Sequence, residues 1–224
     1  MESIKPILSE EILKPQVEII FNEIIKTPEI SEALNLLEQL PKNLKYHDKN
    51  HTPEVIKETI LFALADGVSI ESIKLEAIAA AWHDVGYLKR YENNEPVAVE
   101  MFQKSNAFQS LSKEQQEEII SEIMDTQMVM KDGKPFFLQQ KSKLGYLLDG
   151  DVGNFGRKDF FEKSMMVAEE LNLDLSNVEI KKKFYAFVIE LLKNHEWKTQ
   201  SARRLRQTQK EMNLKELEAE YTKL

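Results

Sequence analysis

Three short stretches carry the residue types that do chemistry: Tyr46-His47-Asp48-Lys49-Asn50-His51, Trp82-His83-Asp84, and Asp149-Gly150-Asp151-Val152-Gly153-Asn154. His83 and Asp84 close a segment whose other positions, Ile73, Leu75, Ala77, Ile78, Ala79, Ala80 and Ala81, are nearly all apolar, so that helix is buried on most sides. An imidazole beside a carboxylate there loses much of its hydration, and a shared divalent cation is the strongest compensator. For the doublet alone, a core histidine bonded to a capping aspartate is the competing reading. His47 and His51 stand four apart and share one face if they lie on a helical turn. Thr52-Pro53 reads as N-cap and first helical residue, which leaves both histidines either in the approach to that helix or in its first turn. His51 falls in line with Val55 and Phe62 and points inward. In the third stretch Leu144, Leu147, Leu148, Asp151 and Phe155 follow a helical stripe, with Asp149 off it as a supporting or surface group. An unpaired inward carboxylate on a leucine face is costly, which again argues for a cation.

Taken together, Tyr-His-x-x-x-His, then His-Asp, then Gly-Asp-Val-Gly-Asn over residues 46 to 154 resembles the metal-dependent phosphohydrolases named for their His-Asp (HD) motif. The first segment is similar to that of cyclic nucleotide phosphodiesterases, with Asp48 where that branch has asparagine. The resemblance implies that His51, His83, Asp84 and Asp151 are metal ligands. It also implies that His47 protonates the leaving group and that Asp84 belongs with His47 to the catalytic residues. Two imidazoles and two carboxylates suit Mn, Fe, Co, Ni or Zn, and Mg where waters complete the shell. A divalent ion lowers the pKa of bound water from about 15.7 towards about 7 and polarises a phosphoryl oxygen, which is the chemistry of phosphoester hydrolysis. An acid at the leaving oxygen adds on the order of a hundredfold to ten-thousandfold.

Around this set, Lys89, Arg90 and Arg157 follow the metal motifs closely and are candidates for holding substrate phosphate. Glu95, Thr126 and Asn154 are supporting candidates, Glu95 as an acid that orients a metal-bound water. With 4 histidines in all, and threonine at position 126 where di-metal branches present histidine, the chain is short of ligands for a second histidine-held ion. Val85-Gly86-Tyr87-Leu88 after the His-Asp pair carries neither the acidic residues of guanosine tetraphosphate hydrolases nor the Gly-Tyr-Pro of the cyclic-di-GMP branch. The expected function is hydrolysis of a small, nucleotide-like phosphoester by a metal-activated water with a histidine acid. The alternative is a non-catalytic HD module that senses a nucleotide or binds a protein partner.

These motifs need helices to position them. With 7 Gly and 7 Pro among 224 residues and pervasive three-to-four spacing of apolar residues, the fold class is all-α: one compact helical HD domain with extra helices at both ends. We divide it into packing helices over 1–45, a metal-binding core over 46–175 and C-terminal helices over 176–224. Lys14-Pro15 opens a first helix with Val17, Ile20 and Ile24 inward; Thr27-Pro28 caps a second with Leu34, Leu37 and Leu40 inward. Ser112-x-x-Gln115 and Ser176-x-x-Glu179 match capping boxes, and Lys131 to Pro135 reads as a loop between helical segments. His195 ends an apolar stripe as a satisfied core histidine. The last helix sets Leu214, Leu217, Tyr221 and Leu224 on one face and packs back on its own domain.

A formal charge of -8 disfavours a nucleic-acid polymer as partner. Absence of cysteine, of a membrane-spanning run and of a cleavable N-terminal segment makes the cytoplasm the expected location. The sequence gives no indication of oligomeric state.

Overall fold

The computed structural model describes residues 9–131, 134–137 and 143–224. Eleven α-helices and one small hairpin make up the regular structure of these residues: α1 (Glu10–Ile24), α2 (Pro28–Leu37), α3 (His51–Ala65), α4 (Ile70–Trp82), α5 (Asn94–Gln103), α6 (Asn106–Gln109), α7 (Lys113–Asp125), β1 (Met128–Lys131), β2 (Lys134–Phe137), α8 (Tyr146–Asp151), α9 (Phe160–Glu170), α10 (Val178–Asn194) and α11 (Gln200–Thr222). Short 3-10 turns follow α4 at Val85–Leu88 and α8 at Gly153–Gly156. The all-α expectation holds, with helices flanking the core at both ends. None of the described helices is long and apolar enough to cross a membrane.

The two innermost helices are α3 and α4, apolar around most of their circumference and therefore covered on most sides. Phe62, Ile56, Ile60, Ile73 and Trp82 lie at their centre in one continuous apolar core that runs from Leu13 to Leu217. α1 lies across α3, α2 lies on α4, and α3, α4 and α8 touch one another pairwise. The indole N–H of Trp82 donates to the Glu29 carbonyl at 2.9 Å, fixing the end of α4 against α2. The site described below depends on this three-way junction, because the motif residues sit at the ends of its helices.

Local signals hold in some places and yield in others. Thr27 and Pro28 open α2, and Ser112 with Gln115 forms a reciprocal capping box on α7. Pro15 lies inside α1 rather than at its start; its ring is exposed, so water can reach the carbonyl whose helical hydrogen bond it cannot make. The cap of α10 is Asn177, whose side chain accepts from the Glu179 and Ile180 amides, while Ser176 turns its hydroxyl to Asp174. In place of a loop at 131–135, β1 and β2 pair antiparallel, Met128 opposite Phe137 and Lys131 opposite Lys134; residues 132 and 133 lie outside the described residues. The inner face of α11 is also more polar than the leucine stripe suggests. Arg206, Lys210 and Asn213 are buried with Leu217, whereas Tyr221 is exposed.

Candidate metal centre

His51 is the first residue of α3, His83 caps the end of α4, Asp84 follows it, and Asp151 ends α8. The junction of the three helices gathers these four side chains. His51 Nε2 lies 3.1 Å from Asp151 Oδ1 and 3.6 Å from Asp84 Oδ2; His83 Nε2 lies 3.3 Å from Asp84 Oδ2 and 3.5 Å from Asp151 Oδ1. One ligand atom each from His51, His83 and Asp84 fits within 4.8 Å of the others. α3 begins before the Thr52-Pro53 pair expected to cap and open it: Asn50 is the cap and His51 the first helical residue, while His47 lies in the approach.

The backbone explains how the ends meet. Asp48 accepts from the Asn50 and His51 amides at 2.8 and 3.2 Å, satisfying donors at the start of α3 that the Asn50 side chain leaves unmet. A Cβ on Gly150 would run into the Thr59 hydroxyl and the α3 backbone, so glycine is what lets α8 approach closely enough for Asp151 to reach His51. Gly86 is packed as tightly against the Asn94 carbonyl of α5.

The chemistry of the donor set fits a cation. His83 Nδ1 is 2.6 Å from the Ala80 carbonyl, which can only accept, so Nδ1 carries the hydrogen. In neutral His83 the Nε2 lone pair then faces two carboxylates. Both His83 Nε2 and Asp84 Oδ2 are buried without a hydrogen-bond partner. His51 Nε2 shares a hydrogen with Asp151 Oδ1 at 3.1 Å, but the buried His83 Nε2 and Asp84 Oδ2 repel one another unless a proton or a metal ion stands between them. The protein alone resolves this by a proton: burial lowers the His83 pKa, but the Asp84 and Asp151 carboxylates outweigh it and bring it up to about 9. Burial pushes the Asp151 carboxyl up, and the two imidazoles more than reverse that, holding it well below its ordinary value.

His47 stands beside this centre. Its Nδ1 is 2.6 Å from Glu170 Oε1, and its ring stacks on Tyr87 at 4.5 Å between centroids. Burial disfavours the imidazolium, yet the Glu170 hydrogen bond and the Asp84 charge raise its pKa overall. Glu170 itself is buried and accepts from the Tyr46 amide (2.9 Å), the His47 amide (3.0 Å) and the Tyr91 hydroxyl (2.9 Å) as well. Burial would raise its carboxyl, but the His47 ring and the two backbone amides bring it down to about 2.

The remaining candidates divide. Asn154 lines a small cleft with His51 and Asp151, its buried Oδ1 unpaired. Glu95 is partly buried, and its pKa is raised by that burial and by Asp84 and Asp151, which places it within the field of the centre. Arg157 lines the cleft but is bound to Asp159 and Glu54. Lys89 and Arg90 are exposed, and Arg90 donates to the Asn93 carbonyl at 2.8 Å. Thr126 is buried with its hydroxyl turned back to the Ile123 carbonyl. Asp149 is fully buried rather than superficial: it accepts from the Lys198 amide and from the Thr199 amide and hydroxyl, holding the start of α11. His195 is buried as expected, but neither ring nitrogen has a partner, and burial together with Lys210 lowers its pKa to about 3.

Sequence reasoning missed Glu170, Tyr91, Glu54 and Lys163. Glu54 carried a weak signal, one turn after His51 on the same helix; nothing local marked Glu170, which lies 123 positions from its histidine. A second carboxylate group, Glu76, Glu118 and Glu122, is also gathered by the fold. There Glu76 and Glu122 accept from the Leu147 and Gly145 amides and so fix the start of α8. Compared with known proteins, the chain matches no family model, no curated protein and no solved structure.

Proposed function

We propose that the chain is a metal-dependent phosphohydrolase of the HD type, acting on a small, nucleotide-like phosphoester. The observation that carries this reading is the convergence of His51, His83, Asp84 and Asp151, with buried, unpartnered atoms on His83 and Asp84. A divalent cation held by these four would polarise a phosphoryl oxygen and make water available as a nucleophile near neutral pH. The protein's own groups supply the rest. Glu170 occupies Nδ1 of His47 and favours its protonated form, which leaves the Nε2 proton for the leaving oxygen. Glu95, its carboxyl raised first by burial and then by the Asp84 and Asp151 charges, would orient a water at the centre. Asn154 offers its amide to the ester or to a water in the cleft. Tyr46 and Tyr87 wall His47 and keep bulk water from competing with the leaving group.

The test is hydrolysis of bis(p-nitrophenyl) phosphate by Mn-loaded protein beside His83→Ala, a substrate that asks for metal chemistry and little recognition. Turnover by the parent and a loss of at least about a hundredfold in the variant are expected. Silence of the parent toward this ester and a nucleotide panel, with Mn, Fe, Co, Ni, Zn and Mg each supplied, would defeat the reading.

A further inference from the structure

The cleft beside the metal centre contains two cations, Arg157 and Lys163, and one carboxylate that already spans them, Glu54. Lys163 Nζ lies 2.9 Å from Glu54 Oε1 and 2.8 Å from Oε2, and Arg157 Nη2 donates to Oε2 at 3.2 Å. Asp159 holds the far side of the Arg157 guanidinium with two further hydrogen bonds. For Lys163, Glu54 is the one carboxylate within ion-pair distance among the described residues. Side-chain exposure runs from 13% at Lys163 and 20% at Arg157 to 40% at Glu54, so the carboxylate is the outermost member of the group.

A carboxylate bridging an ammonium and a guanidinium fills the place that two oxygens of a bound phosphate would take. Its negative charge also acts on whatever enters, and the penalty grows with the charge of the ligand. A singly charged phosphodiester meets this repulsion once; a doubly charged phosphomonoester meets it twice and finds both cations already neutralised. Building on the phosphohydrolase reading, we infer that Glu54 is a specificity-determining residue that selects monoanionic phosphodiesters over dianionic phosphomonoesters.

Glu54→Gln tests this, because the side chain is partly exposed and the substitution keeps its shape. Two measurements separate this inference from the reading beneath it. The first is calorimetric titration of metal-free protein with inorganic phosphate at pH 8, where phosphate is mostly a dianion. Glu54→Gln binds about tenfold more tightly than the parent, the scale of one removed unit charge at a partly solvated distance, and Lys163→Met in the Glu54→Gln background abolishes the gain. The second is the ratio of kcat/KM for p-nitrophenyl phosphate to that for bis(p-nitrophenyl) phosphate with Mn. The parent favours the diester, Glu54→Gln moves the ratio about tenfold toward the monoester, and Glu54→Asp keeps the parent ratio. Unchanged phosphate affinity in Glu54→Gln overturns the inference, as does a parent that prefers the monoester or a ratio indifferent to the substitution. A parent inactive on both esters and on the nucleotide panel, with each of the six metals supplied, removes the phosphohydrolase reading, and the phosphate titration, which needs no turnover, still decides the role of Glu54.

Discussion

On the phosphohydrolase reading, replacing Glu170 with glutamine should separate the proposed histidine acid from the proposed metal site. The carboxylate is buried and takes four hydrogen bonds, from the Tyr46 and His47 amides, His47 Nδ1 and the Tyr91 hydroxyl. Its pKa falls from the ordinary 4.5 to about 2, which by linkage is on the order of 3 kcal/mol of stability at neutral pH. Glutamine retains one acceptor oxygen but brings an NH2 group into a nest of donors, so we expect a loss of about 2–3 kcal/mol. In a chain of this size that is a fall in Tm of roughly 5–10 °C. The pH dependence has two signs. Glu170 is depressed in the folded chain, so its contribution is complete above 4.5 and is lost as pH falls toward about 2. His47 is raised, so its contribution is complete below 6.5 and is lost as pH rises beyond that value. Parent minus variant stability should therefore peak between these limits. In catalysis, the variant loses the protonated histidine at slightly alkaline pH. Hydrolysis of an alkyl phosphodiester, whose alkoxide must be protonated to leave, should drop at least about tenfold, within the range of a general acid's contribution. Release of p-nitrophenolate, a good leaving group, should change little. The assay is the ratio of the two rates alongside thermal melts from pH 4 to 9. Equal losses on both esters, or an unchanged melt, would refute the argument that Glu170 acts by holding a proton on His47.

Further expectations bear on the scaffold and the cation. Mn should raise the Tm of the parent in a concentration-dependent way and leave Asp151→Ala unmoved, as followed by differential scanning fluorimetry; a rise retained in the variant would place the ion elsewhere. Because His83 holds a proton up to about pH 9 without metal, Mn affinity should strengthen as pH rises from 6 to 9, with proton release visible by calorimetry in buffers of differing ionisation enthalpy. Gly86→Ala should fold poorly or not at all, since its new methyl would overlap the Asn94 carbonyl, a backbone group that cannot turn aside; expression and circular dichroism would show this. Arg206→Met should cost about 3 kcal/mol in urea unfolding, because it removes both of the arginine's hydrogen bonds to the buried Glu58 and leaves that carboxylate only the more distant Arg157, 3.9 Å away.

What the sequence made legible follows from how far each signal reaches. The apolar run into His83 predicts a buried helix end, and α4 ends there. The stripe that singles out Asp151 over Asp149 works because inward direction on one helix depends only on local spacing; the two aspartates do part, one to the histidine cluster and one to Thr199. Spacing cannot say what lies opposite. Asp149 lay off the stripe and was expected to be a supporting or surface group, yet α11 packs there and its first amides need an acceptor. Lys89 and Arg90 were marked by closeness in sequence to the metal motif, whereas the 3-10 turn after Asp84 carries them outward. Glu170 and Lys163 enter the site from α9, which no motif announces.

The C-terminal helix shows why a polar face was hard to read. Arg206, Lys210 and Asn213 sit where an amphipathic reading expects leucines, and each answers a polar group on a different segment. Arg206 pairs with Glu58 of α3 and Glu10 of α1, Lys210 with the His195 carbonyl, and Asn213 donates to the carbonyls of Phe155 and Arg157. The 3-10 turn at Gly153–Gly156 is too short to satisfy its own carbonyls, and it carries Asn154 and leads into Arg157. α11 supplies the missing donors from behind while Asp149, just ahead of Asp151, holds the start of α11 from below. The third motif is thus bound to the last helix at both of its ends. Asp151 and the cleft's Arg157 are positioned by the last helix, and an apolar face on α11 would leave these buried groups unpaired.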